Sequence, residues 1–102
     1  MEDKDIYSIH AEACKMFSNE VRLEIIDRLR EGEKSVSELA EATGFNQPNV
    51  SQHLAKMREK NFVETRKEGT QIYYSIANEK IFKAFDLMRE IIKEQMVDPS
   101  EL

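Results

Sequence analysis

The sequence predicts a mainly α-helical fold with one small β-hairpin, in the order helix, helix, helix, helix, hairpin, helix. Three observations predict it. Apolar residues recur at helical spacing over most of the chain. That period breaks once, at "QIYYSI" (71–76), where apolar and polar residues alternate. Serine, asparagine and glycine stand where helices of this length need their ends capped.

The first helix, 5–17, carries Ile6, Ile9, Ala13 and Met16 on one stripe. In "SNE" (18–20), Ser18 or Asn19 caps a second helix that runs to about Arg30. It carries Leu23, Ile25, Ile26 and Leu29, and Gly32 stops it. "SVSE" (35–38) is a capping box, with Ser35 as N-cap and Glu38 three residues on. The short helix it opens buries Val36, Leu39, Ala40 and Thr43 and meets Gly44 at its end. Asn46 caps the fourth helix, 46–60, and Pro48 lies in its first turn, where a missing N–H costs nothing. Asn61 ends it in a left-handed conformation. Within the hairpin, Ile72, Tyr74 and Ile76 alternate with Gln71, Tyr73 and Ser75, and Gly69 serves a turn at 67–70. A long helix, 78–97, closes the chain with Ile81, Phe85, Met88 and Ile92 in register.

The third and fourth helices are joined by three to four residues including a glycine, the spacing of a helix-turn-helix. A hairpin with a basic tip directly after them is a wing. On a helical wheel, Val50, Leu54 and Met57 of the fourth helix share a narrow sector and face the core. Ser51, Gln52, Ala55 and Lys56 face outward. Serine and glutamine can bond base edges, and alanine lets a helix sink into a groove. For a lone amphipathic helix, a solvated polar face is the better explanation. The capped helix before it and the wing after it, bearing Arg66 and Lys67, favour DNA binding. His53 falls about 60° from Val50 on the wheel, beside the buried stripe. A partly buried, hydrogen-bonding role therefore fits it better than contact with DNA.

Composition is compatible with this. The 102 residues, 40% hydrophobic and 34% charged, suit one domain with a modest core, read as 1–102. No apolar run reaches the ~20 residues of a membrane span, and "MEDKDIYSIH" lacks the regions of a signal peptide. A single cysteine, Cys14, precludes an intrachain disulfide and fits a reducing cytoplasm. The net charge of −5 is unevenly spread. Residues 45–75 hold five cations against three anions, whereas 1–44 hold six against eleven and 76–102 four against six.

"MFSNEVRLEIIDRL" (16–29), "SVSELAEATGFNQPNVSQHLAKMREKNFVETRKEGTQIYYSI" (35–76) and the terminal helix together resemble the arsenic-repressor type (ArsR/SmtB-like) of winged helix-turn-helix transcription regulators. The resemblance covers nearly the whole chain. It implies a homodimer that binds double-stranded operator DNA, usually as a repressor, and releases it to an effector. It also implies groove contacts from Gln47, Asn49, Ser51, Gln52 and Lys56, with Arg66, Lys67 and Gln71 in a wing at 64–72.

The family's metal sites do not carry over. Ser35 and Ser37 stand where metal-sensing relatives place cysteines, and "NEKIFKAFDLMREIIKEQ" has no histidine. His10 and Cys14, four residues apart, are too few to close a tetrahedral site, so no metal or cofactor is expected. Any effector is left unidentified. The outer helices offer more apolar face than one small core needs. This marks Ile6, Ile9, Ala13, Met16, Ile81, Phe85, Met88 and Ile92 as a dimer interface, the alternative being that both helices simply cover the core. Two other functions stand beside the leading one: a winged protein-interaction module without DNA binding, and a metal- or redox-responsive regulator using Cys14 and His10. An enzyme is disfavoured, because two histidines and one cysteine supply no nucleophile–base–orienter set.

Overall fold

The computed structural model describes residues 3–101. The described residues form five α-helices and a small sheet: α1 (Asp3–Cys14), α2 (Glu20–Leu29), α3 (Val36–Thr43), α4 (Gln47–Glu59) and α5 (Lys80–Gln95). The strands are β1 (Lys34–Ser35), β2 (Val63–Glu68) and β3 (Gln71–Ile76), ordered β1-β3-β2 with both pairs antiparallel.

The expected caps are present. Asn19 accepts from the N–H groups of Val21 and Arg22 at the start of α2. Ser35 and Glu38 complete a reciprocal capping box on α3. Gly44, at φ 83°, ends α3, and Asn61, at φ 61°, turns the chain after α4. Only three residues, 44–46, separate α3 from α4. In the hairpin, Glu68 pairs with Gln71 across the two-residue turn Gly69–Thr70. Gly69 supplies the positive φ at its first position, as a type II′ turn requires.

Four features differ from the sequence expectation. The first helix ends at Cys14, and Lys15–Phe17 form a separate 3-10 turn. The last helix is shorter than 78–97, with the Asn78 side chain accepting from the Lys80 N–H. A third strand, β1, pairs Lys34 with Tyr74 and Ser35 with Tyr73, and two residues are too few to show a period. Burial does not follow strict alternation along β3: Ile72 is exposed near the tip, beyond reach of the core, while Tyr73 and Ser75 are half-buried.

The core gathers Val21, Ile25, Ile26 and Leu29 of α2, Leu39 of α3, Val50, Leu54 and Met57 of α4, and Val63 of β2. Phe82 and Phe85 of α5 and Met16 of the 3-10 turn complete it. Because α2 touches both α3 and α4, the helix-turn-helix is mounted on it, and β2 continues directly from α4.

Candidate nucleic-acid interface

Two features start α4. The Asn46 carboxamide oxygen accepts from the Asn49 N–H at 2.8 Å, and Pro48 occupies the first turn. Beyond them Val50, Leu54 and Met57 have no exposed surface at all. Gln47, Ser51, Gln52, Ala55 and Lys56 are exposed, and Asn49 is half-buried. The outward face is thus hydrogen-bonding and nearly free of bulk. Lys56 and Arg58 stand toward its C-terminal end and form no ion pair among the described residues.

His53 is half-buried, as its wheel position implied, and its partner is Arg22 of α2, whose Nη1 lies 3.1 Å from the His53 Nδ1. Burial, reinforced by the cations Arg22 and Lys56, holds the imidazole pKa below its ordinary value. Arg22 is itself buried and also donates to the carbonyls of Met16 and Lys15, at 3.2 and 2.7 Å. Sequence reasoning passed over this arginine. Its one legible signal was a cation inside "EVRLEII", on a helix that otherwise packs against the core.

The wing divides by face. Cross-strand register puts Val63, Thr65 and Lys67 beside Ile76, Tyr74 and Ile72 on one face. Glu64, Arg66 and Glu68 share the other with Ser75, Tyr73 and Gln71. Arg66 is engaged within the chain. Its Nη2 donates to Glu33 at 2.6 Å and its Nη1 to Glu68 at 2.8 Å, while its guanidinium carbon lies 5.0 Å from the Tyr73 ring centroid. These carboxylates raise the Arg66 pKa still further, and Arg66 holds that of Glu33 below the usual carboxylate value. Lys67, on the opposite face, forms no ion pair among the described residues. Gln71 is exposed but shares the face that Glu33 and Glu68 make acidic.

Of the residues expected at a dimer interface, Met16 and Phe85 are enclosed by their own chain at 4% exposure each, because the core under α2 takes them in. Ala13, Ile81 and Ile92 are half-buried. Ile6, Ile9 and Met88 are about half exposed, as are Leu87 and Ile91, which the sequence reading missed. The latter pair was hidden because α5 carries a second apolar stripe adjoining the first. His10 and Cys14 line a groove of about 510 Å³ between α1 and α5, with Phe17, Ala84 and Met88. Among the described residues, no three histidine, cysteine or acidic side chains converge on one point.

Residues 19–65, spanning α2 to the start of the wing, match the family described as bacterial regulatory protein, arsR family. The solution structure of the homodimeric winged helix-turn-helix DNA-binding domain of Mb0332 from Mycobacterium bovis is similar across the fold. It has a TM-score of 0.82 at 33% identity, over 95% of this chain and 92% of that one. The chain belongs to the arsR family. The crystal structure of NolR from Sinorhizobium fredii matches with a TM-score of 0.80 at 33% identity, over 89% of this chain and 93% of that one. HTH-type transcriptional regulator Rv0324 of Mycobacterium tuberculosis (strain ATCC 25618 / H37Rv) is 38% identical over 88 residues, covering 86% of this chain and 39% of that protein. This arsR-family chain spans 39% to 61% of the length of three such curated relatives.

Proposed function

We propose that this chain is a DNA-binding transcription regulator that acts as a homodimer and represses from a two-fold-symmetric operator in the cytoplasm. The single observation that carries this reading is α4. Its Val50–Leu54–Met57 side is wholly buried, and its other side offers Gln47, Ser51, Gln52 and Lys56 after a three-residue turn. Gln47, Asn49, Ser51 and Gln52 would read base edges. Lys56 and Lys67 would meet phosphates flanking the groove, with Gln71 as a further wing contact. Arg66, tied to Glu33 and Glu68, would brace the wing rather than meet DNA. The exposed apolar residues of α1 and α5, among them Ile6, Ile9, Leu87, Met88 and Ile91, support pairing with a second copy. Such pairing would set two α4 helices about 34 Å apart, one turn of the duplex. Residues 1–102 are read as one unit, with reading head and dimerisation helices together. No described helix is long and apolar enough to cross a membrane.

Selection of duplexes from a random pool by the full chain, followed by titration at several salt concentrations, tests this. The expected result is an enriched inverted repeat whose affinity falls linearly on a log–log salt plot. Substituting Gln52 should change the preferred bases. If no duplex is retained even at low ionic strength, the winged protein-interaction reading replaces this one.

A further inference from the structure

We infer that Arg22 and His53 are positioning residues of the reading helix, coupling the end of α1 to the orientation of α4 so that the state of the first helix sets DNA affinity. The inference rests on the reading of α4 as the DNA-contacting helix. It goes beyond that reading by naming what aims the helix.

Three contacts span the joint. The Arg22 guanidinium, 8% exposed, donates to the Lys15 and Met16 carbonyls that follow α1, and across to His53 in the middle of α4. Just past α4, the Phe62 ring packs edge-on against Phe17 of the 3-10 turn, with centroids 5.4 Å apart at 70°. Lys60 reaches Glu12 of α1 at 3.8 Å. The second half of α4 is therefore held by the junction between α1 and α2. On its outer side α1 exposes Ile6, Tyr7 and Ile9, an apolar stripe open to a cover. In the proposed assembly the cover is a second copy.

The chemistry of the central contact makes the coupling measurable. A guanidinium only donates, so the His53 Nδ1 must accept, and the ring is neutral with its proton on Nε2. Protonation removes that acceptor and sets an imidazolium beside Arg22. The other charge acting on the ring, Lys56 of α4, is also cationic, and Lys15 of the turn gives its ammonium to Glu12. In the free protein α4 can yield to this repulsion. Seated in a groove it cannot, so protonation and DNA binding oppose one another.

The test measures affinity for one selected duplex at fixed ionic strength from about pH 7.5 to about pH 5.5, the range in which histidine titrates. Wild-type binding is expected to weaken by about threefold to tenfold toward the acid end of that range, because burial holds the ring's titration below the ordinary histidine value. His53→Gln keeps an acceptor for Arg22 without a titrating group, so it should bind normally at neutral pH with a flat profile. His10→Gln should retain the wild-type profile. Arg22→Lys keeps the charge, but one ammonium cannot span three acceptors, so it should bind more weakly at every pH. Because Arg22→Lys risks unfolding, the decision rests on His53→Gln. A wild-type profile that is flat, or unchanged in His53→Gln, overturns the coupling. So does binding that tightens on acidification through His53, because the ring would then touch DNA itself. Failure to bind any duplex at neutral pH would instead remove the proposed function, and this inference with it.

Discussion

On α4, Lys56 and Arg58 stand on a helix whose inner side is fully buried, and neither has an anionic partner among the described residues. In the wing, Arg66 is held by Glu33 and Glu68 on an exposed hairpin, and Lys67 on the reverse face is left to solvent. Both regions carry cations, yet only α4 combines a fixed direction with uncommitted charge. A positive residue in a sequence therefore counts as a DNA contact only after its local partners are known. In the wing, one partner of Arg66, Glu33, lies 33 residues away, on the loop before β1.

The largest expected contrast is in stability. Leu54→Ala empties a site with no exposed surface and should cost about 2–5 kcal/mol, read from the urea midpoint. Ile72→Ala, at the exposed end of the wing, should shift stability by no more than about 0.5 kcal/mol. Similar losses from both would mean that the wing is as deeply anchored as α4.

Next comes the salt dependence of DNA binding. Lys56→Ala and Lys67→Ala should each lower affinity across all sequences and reduce the salt slope by about 1. Arg66→Ala should leave that slope nearly unchanged, because its charge is already met by Glu33 and Glu68. A drop in slope with Arg66→Ala equal to that with Lys56→Ala would show that DNA displaces the carboxylates.

The smallest effect concerns Glu33. Its folded pKa lies below 4.5, with the Arg66 hydrogen bond as the main cause. The tie therefore stabilises the fold above about pH 4.5 and is lost as pH falls below that. The gap in Tm between wild type and Glu33→Gln should be small near neutrality and narrow on acidification. A gap that widens in acid would reverse the assigned sign.

The reading helix was legible because its information is local. Val50, Leu54 and Met57 fix its inner side by spacing alone, and Asn46, Gly44, Ser35 and Glu38 mark ends through bonds spanning at most four residues. What escaped detection depends on distant pairs or on short pieces. Strand β1 exists only because β3 folds back onto it, and the partners of Arg22 come from the 3-10 turn and α4. For α5, periodicity identified the stripe with Phe85 but could not tell that the chain's own core would enclose that residue. Nor could it tell that Leu87 and Ile91, a fraction of a turn round the helix, would stay exposed.

Ser35 belongs to two elements at once: its backbone lies in the sheet beside Tyr73, and its hydroxyl caps α3. Helix-turn-helix and hairpin are consequently riveted midway along β3, while Gly69 and Thr70 at the tip are exposed. Chain added or removed at that tip would alter how far the hairpin extends over a duplex without moving its mounting, so reach and aim can be tuned separately.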